Sequence, residues 1–259
     1  MQVLLTLFLL TAAVGLGNQT GDVKQRVKAA RALGKAGSGG VEQLKPYLQD
    51  GSAEVRRAAV SSLAEIGGQA ALEPLTAALG DGDGEVQMTA TSGLVNFYLP
   101  GYYQSGWRSR LKRGTDSLLD RFREDNEPVA PAHVTARPEI IAALGRVTAE
   151  SGSMEARAGA ARALGILRGG AASDQLLAAL QTKNTPVMYE VLTAFEKIRN
   201  REVAPRLFYM LRDPDEKVQI AAIQTVSVLG NTEANEPLRE AWERTKSEKV
   251  RRALLEAMA

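Results

Sequence analysis

The chain has no cysteine and one histidine, His133. Without thiols there is no disulfide framework, no thiolate nucleophile and no sulfur-ligated zinc, and lipid attachment at a cysteine behind a cleavage site is excluded. A single histidine rules out a multi-histidine metal centre. A Ser-His-Asp triad would have to take His133 as its base, from a proline-punctuated loop, so an exposed loop side chain is expected there. Aromatic residues make up only 5% of the 259 positions, and neither charge dominates: 32 basic side chains against 30 acidic ones leave +2. That balance offers no whole-surface attraction for nucleic acid or an anionic membrane. Turn-bounded β-branched runs are nearly missing too. The apolar content is carried by Ala, Leu and Val, which favours helices.

Phosphate and calcium loops are also missing. Gly34-Lys-Ala-Gly-Ser-Gly-Gly40 stands between helical segments and never completes the Gly-Lys-Ser/Thr entry of a phosphate loop. Asp81-Gly-Asp-Gly-Glu85 has calcium-like carboxylate spacing but lacks the further ligands and the distal Glu, so it is expected as a turn. No catalytic residue, metal ligand or cofactor site is expected.

No apolar run reaches the roughly 20 residues that span a bilayer. The longest, residues 3–14 (VLLTLFLLTAAV), has the length of a secretory core. Ala13 and Gly15 supply small residues for a cleavage site, although no Lys or Arg precedes it. Residues 1–17 are expected to be a signal peptide, placing the mature chain in the periplasm or outside a bacterial cell. The alternative is an apolar helix capping the fold of a cytoplasmic protein.

What is abundant is repetition. Val55, Ala59, Leu63 and Ile66 follow the i, i+4, i+8, i+11 spacing of one helix face. The spacing returns at Val86, Ala90, Leu94 and Phe97, at Ala156, Ala160, Leu164 and Leu167, and at Val187, Val191, Phe195 and Ile198. It returns again at Val218, Ala222, Val226 and Leu229, and begins once more at Val250 and Leu254; a weaker copy is Gln25, Ala29, Leu33 and Ala36. The first anchors are 30 to 32 residues apart except between Val86 and Ala156, where the gap is 70. A second, shorter amphipathic helix follows each copy, carrying Leu44 and Leu48, Leu75 and Leu79, Leu176 and Leu180, Leu207 and Leu211, or Leu238 and Trp242. Junctions such as Asp50-Gly51 and Asp213-Pro-Asp215 stop one helix and cap the next. One helix pair cannot bury both faces, so neighbours must stack, and Ala at the second anchor is expected to let first helices approach closely. Arg56, Arg57, Arg157, Arg251 and Arg252 are expected to bond junction aspartates or carbonyls of the adjacent repeat.

The segments SAEVRRAAVSSLAEIG, SMEARAGAARALGILRG and DEKVQIAAIQTVSVLG resemble HEAT repeats, in the short HEAT-like form also found in phycobilisome chromophore lyases. The resemblance implies an all-α solenoid of about six to seven helix-pair repeats, forming a single domain over residues 22–259. It implies two functions. One is a non-enzymatic scaffold or adaptor that presents the concave face of its second helices to a protein partner. The alternative is a chromophore-lyase-like or other enzyme accessory role, against which an export signal argues, because phycobilisome assembly is cytoplasmic.

The 70-residue gap holds an insertion, residues 100–136, between the two helices of one repeat; Ile140 and Leu144 of the second helix match Val203 and Leu207. Such insertions map to one face, often the binding face. Phe97, Tyr98, Tyr102, Tyr103, Trp107 and Phe122 place six of the chain's thirteen aromatics within 26 residues. Residues 107–113 (WRSRLKR) add four cations, 115–124 form a short amphipathic helix with Leu118, Leu119 and Phe122 inward, and 126–134 make an extended return. Tyr102, Tyr103, Trp107, Arg108, Arg110 and Arg113 are candidate partner contacts, since Trp, Tyr and Arg dominate hot spots. The same aromatics would equally tie the insertion onto the repeats. Counted whole, the insertion is only +1, which makes nucleic acid an unlikely partner. Arg206 and Tyr209, off the apolar face of a second helix, are further candidates.

Overall fold

The computed structural model describes residues 22–102 and 129–258; the candidates Tyr103, Trp107, Arg108, Arg110 and Arg113 and the helix expected at 115–124 lie outside them. Every regular element among the described residues is helical. They group into two compact units, one ending at Pro100 and the other beginning at Gly101.

In the first unit, first helices α1 (Val23–Gly34), α3 (Ala53–Ile66) and α5 (Gly84–Tyr98) stack in order. Between them run second elements: α2 (Val41–Leu44) continued by a 3-10 segment (Lys45–Gln49), and α4 (Gly68–Ala78). In the second unit, α6 (Pro138–Glu150) is a second helix. First helices α7 (Met154–Ile166), α9 (Thr185–Ile198), α10 (Glu216–Leu229) and α12 (Glu248–Met258) stack behind it. The second elements there are α8 (Ser173–Ala179), a 3-10 helix (Arg201–Arg212) and α11 (Asn235–Arg244). Pro46 and Pro205 sit inside the two 3-10 segments, where their missing amides suit the tighter winding and help keep second elements short.

The anchors form the core. Val55, Ala59, Leu63, Val86, Ala90, Leu94, Ala160, Leu164, Val187, Val191, Phe195, Val218, Ala222, Val226, Val250 and Leu254 are all fully buried. Ile140, Leu144, Val203 and Leu207 are buried on the second elements, as the matched spacing predicts. The weak first copy departs. Gln25 and Ala36 are exposed and Ala29 and Leu33 half-buried, while Val27 and Ala30 supply the buried side chains of α1. The helix boundaries agree with the repeat; the buried stripe is turned toward α3.

Counting each first helix from its first anchor, tight approaches fall between position +9 of one helix and +7 of the next. A Cβ on Gly34 (+9) would come within 2.8 Å of Ser62 (+7), one on Gly93 (+7) within 2.8 Å of Ala64 (+9), and one on Gly165 (+9) within 2.8 Å of Ala194 (+7). Where the pair is polar it hydrogen-bonds: Thr225 (+7) donates to Glu196 (+9) at 3.2 Å. Position +5 also faces the following repeat, since the Ala30 carbonyl accepts from the Ser62 hydroxyl. Accordingly Val60, Thr91, Ala161, Leu192 and Ile223 at +5 are all buried.

Each junction repeats one polar device. A side-chain oxygen accepts from the amide two residues on: Asp50 from Ser52, Asp81 from Asp83, Ser151 from Ser153, Thr182 from Asn184, Asp213 from Asp215, Thr245 from Ser247. That second residue is the N-cap, and Asp83, Ser153, Asn184, Asp215 and Ser247 each accept a first-turn amide of the next helix.

Candidate functional site

The second elements of the second unit bury one side and expose the other. Along the 3-10 helix, Val203, Ala204, Leu207, Met210 and Leu211 point inward, while Pro205, Arg206 and Tyr209 face out. The two candidates therefore share one face. Tyr209 is 53% exposed, the only exposed aromatic among the described residues. Its phenol is held above the ordinary range by desolvation and by the Asp213 carboxylate, against the opposing hydrogen bond to Gln181. It is thus protonated at neutral pH and hydrogen-bonded to the preceding repeat. Arg206 reaches the same repeat, with Nη1 donating to Asp174 Oδ1 at 2.8 Å. This pair is exposed on both sides and holds the guanidinium in place without removing it from solvent. Farther along, Arg212 pairs with Glu240 on α11. Asp174 and Gln181 are the partners that periodicity did not single out, because exposed polar positions leave no pattern. The result is a mixed-charge strip with an aromatic at its centre and no strong field of either sign.

Of the insertion, the described ends are its first and last residues. Phe97 and Tyr98 close α5 as an edge-to-face pair, ring centroids 5.0 Å apart, both half-buried. Tyr102 is half-buried as well. On the return, Ala130 is buried and its amide donates to the Ile166 carbonyl at 2.8 Å, while Val134 N–H closes a turn onto Pro131 O. His133 sits exposed in that turn. This end of the insertion is tied to α7.

The repeat arginines divide. Arg56 forks onto Asp81 (Nε–Oδ2 2.7 Å, Nη2–Oδ1 2.9 Å) and donates to the Asp50 carbonyl at 2.9 Å. Arg26 makes the equivalent fork onto Asp50 at 2.8 and 3.1 Å, a pair the anchor pattern did not single out. Arg157 donates to the Ser151 carbonyl at 2.6 Å, and Gln87 does the same to Asp81 at 2.8 Å. Arg57 lies 3.9 Å from Asp83 and 4.0 Å from Glu85. Arg251 and Arg252 depart from expectation. Arg251 stacks over Trp242, 5.9 Å from the ring centroid, and Arg252 bonds Glu256 on its own helix. Another pair not foreseen, Arg162 on buried Glu190, joins α7 to α9. The Arg26, Arg56 and Arg162 pairs tie repeats together.

Among the described residues, no group of three or more His, Cys, Asp or Glu side chains is placed to hold a metal. No described helix is long and apolar enough to cross a membrane.

No curated protein matches the sequence. Among solved structures, an engineered protein superposes with a TM-score of 0.53 at 20% identity, over 95% of this chain and 66% of that one, a likeness of fold. Human deoxyhypusine hydroxylase, solved with glycerol, gives 0.45 at 16% identity over 95% and 94% of the two chains. A designed armadillo repeat protein in complex with the peptide (KR)4 gives 0.36 at 18% identity over 95% and 98%. The sequence profile of the HEAT repeats matches residues 16–95 and 173–259, more than half of the chain. With its helix-pair stacking and recurrent capped junctions, the chain belongs to the HEAT-repeat family.

Proposed function

We propose that the chain is an exported, non-enzymatic scaffold that binds a protein partner through the second-helix face around Tyr209 and Arg206, with Tyr102, Tyr103, Trp107, Arg108, Arg110 and Arg113 of the insertion as further contacts. The observation that carries this is Tyr209, left 53% exposed while every other described aromatic is half-buried or buried. Tyrosine gives large contact area at little rotamer cost, and a neighbouring arginine already oriented by Asp174 loses less freedom on binding. A repeat fold supports such a role because its rigid elements present a long surface.

The test is a photo-crosslinking residue placed at 209 and, separately, at Val228, which is exposed on a first helix. A discrete adduct formed from 209 and absent from 228 is expected. It should be lost on Arg206→Ala in the same chain and weakened by Trp107→Ala. Equal adducts from both positions would sink the proposal. Export is tested separately by N-terminal sequencing of the mature protein, which should begin near residue 18.

A further inference from the structure

Contacts between successive first helices fix which positions face which neighbour. Arg162 (+6) pairs with Glu190 (+3) of the next first helix, Glu216 (−2) with Lys249 (−1) at 3.6 Å, and Arg57 (+2) with Asp83 (−3) at 3.9 Å. The Ser62 (+7) hydroxyl donates to the Ala30 (+5) carbonyl of the helix before. Positions −2, +2, +5 and +6 therefore face the following repeat, and −3, −1, +3 and +7 the preceding one. Both sides are closed along the stacks: Ala30, Val60, Leu192 and Ile223 are buried at +5, Ser62, Ala194 and Thr225 at +7, and Ala58, Glu190, Ala221 and Ala253 at +3. Two helices depart from this. Leu255, at +5 of α12, is 56% exposed. On α1, Lys28 at +3 and Ala32 at +7 are exposed. The open faces are thus the following side of α12 and the preceding side of α1.

We propose that these two faces fit each other, so that α12 of one copy of the chain stacks on α1 of a second copy. Every register contact then finds a match. The apolar one sets Leu255 (+5) on Ala32 (+7), in the place where Ala30 meets Ser62. Glu256 (+6) meets Lys28 (+3), which is the Arg162–Glu190 pair with its signs exchanged. Glu248 (−2) meets Lys24 (−1) as Glu216 meets Lys249, and Arg252 (+2) meets Asp22 (−3) as Arg57 meets Asp83. All six charged side chains are exposed. Arg252 and Glu256 pair with each other on α12, but both are well solvated, so opening that pair costs little. Pairing of α12 with another α12 has no counterpart among the described contacts, because first helices meet following face to preceding face. A contact between unlike faces leaves one open face of each kind after every addition, so copies add in series.

Sedimentation of the purified full chain tests this. Its weight-average mass should rise with concentration past that of two copies. Leu255→Arg and Ala32→Arg each put a long, helix-forming, charged side chain at an exposed site. Each should return the chain to single copies while leaving helix content and melting unchanged. Mixed in equal parts, the two variants should form a one-to-one pair and nothing larger. Only the intact α12 of the Ala32→Arg copy and the intact α1 of the Leu255→Arg copy are then left to meet, and that pairing also shows both variants folded. Lys28→Glu should weaken association by about three-fold or more, and adding Glu256→Lys to the same chain should restore it. A chain that stays single at every concentration overturns the proposal, as does a mixture of the two arginine variants that fails to pair. Association that ignores Ala32→Arg also overturns it, since a two-fold contact of α12 with α12 would behave that way.

Discussion

Gly159 and Gly165 lie on the same helix, α7, and should respond to alanine with opposite signs. Glycine in a helix interior costs about 0.5–1 kcal/mol relative to alanine, because the unfolded chain gives up more freedom. A Cβ on Gly159 meets nothing within 4 Å, so Gly159→Ala should stabilise the chain by about that amount. A Cβ on Gly165 would sit 2.8 Å from the Cα of Ala194, a backbone atom that cannot swing aside. Gly165→Ala must push α9 away and should cost about 1–3 kcal/mol despite the better helix propensity. Urea denaturation of the two variants decides it, and two stabilised proteins would remove the +7/+9 contact from the account. At this scale the sequence was only partly readable. Anchors such as Leu164 and Phe195 announce themselves by periodicity, whereas a small residue at a tight contact carries no hydrophobic signal. Tyr209 was legible because it breaks the apolar face of its helix. Its partner Gln181 was not.

At the scale of elements, the junctions link a turn, a cap and a neighbouring repeat through one carboxylate. In Asp81, burial raises the carboxyl's pKa; the Arg56 fork and the Asp83 amide outweigh it and hold the group below its ordinary range. Asp50 is lowered in the same way by Arg26 and the Ser52 amide against its own burial. A carboxylate whose pKa is depressed in the folded state stabilises that state fully above the unfolded value near 4, and this contribution is lost as pH falls through the lower folded values. Asp81→Asn keeps the size of the side chain and removes its charge from a pair that is mostly out of water. It should cost about 2 kcal/mol at pH 7. Because the wild type loses the same contribution in acid, the gap between the two proteins should narrow below about pH 4. Denaturation midpoints of both proteins across that range test this, and a gap that stays constant would contradict it. The Asp-x-Ser/Asp spelling of the junctions was legible as punctuation, and the Arg56 bond to a junction aspartate followed from it. Arg251 escaped because Trp242, a position read as apolar core, offers a ring face that competes with any carbonyl.

Within each unit the first helices stack in order, so stability there is a sum of repeats and of the contacts between neighbours. The second unit shows the consequence along its first helices. Leu192 on α9 and Ile223 on α10 are fully buried, while Leu255 and Met258, at the +5 and +8 positions of α12, are 56% and 46% exposed. The same register therefore has different weight at different places, which neither composition nor period could tell. Leu192→Ala removes side-chain packing between α9 and α10 and should cost about 3 kcal/mol or more. Leu255→Ala removes atoms already half in water and should change stability by less than about 1 kcal/mol. Native-state hydrogen exchange is the informative measurement, because interface energy in a stack is shared between neighbours. In the Leu192→Ala protein, amides of α7, α9 and α10 should lose protection together, the break spreading from the weakened interface in both directions. In the Leu255→Ala protein only α12 should exchange faster, and from a level already the lowest of the four. If Leu192→Ala exposed α9 alone, the repeats would be folding as separate units, and a surface held in fixed order across them, as partner binding at Tyr209 and Arg206 requires, would lose its physical basis.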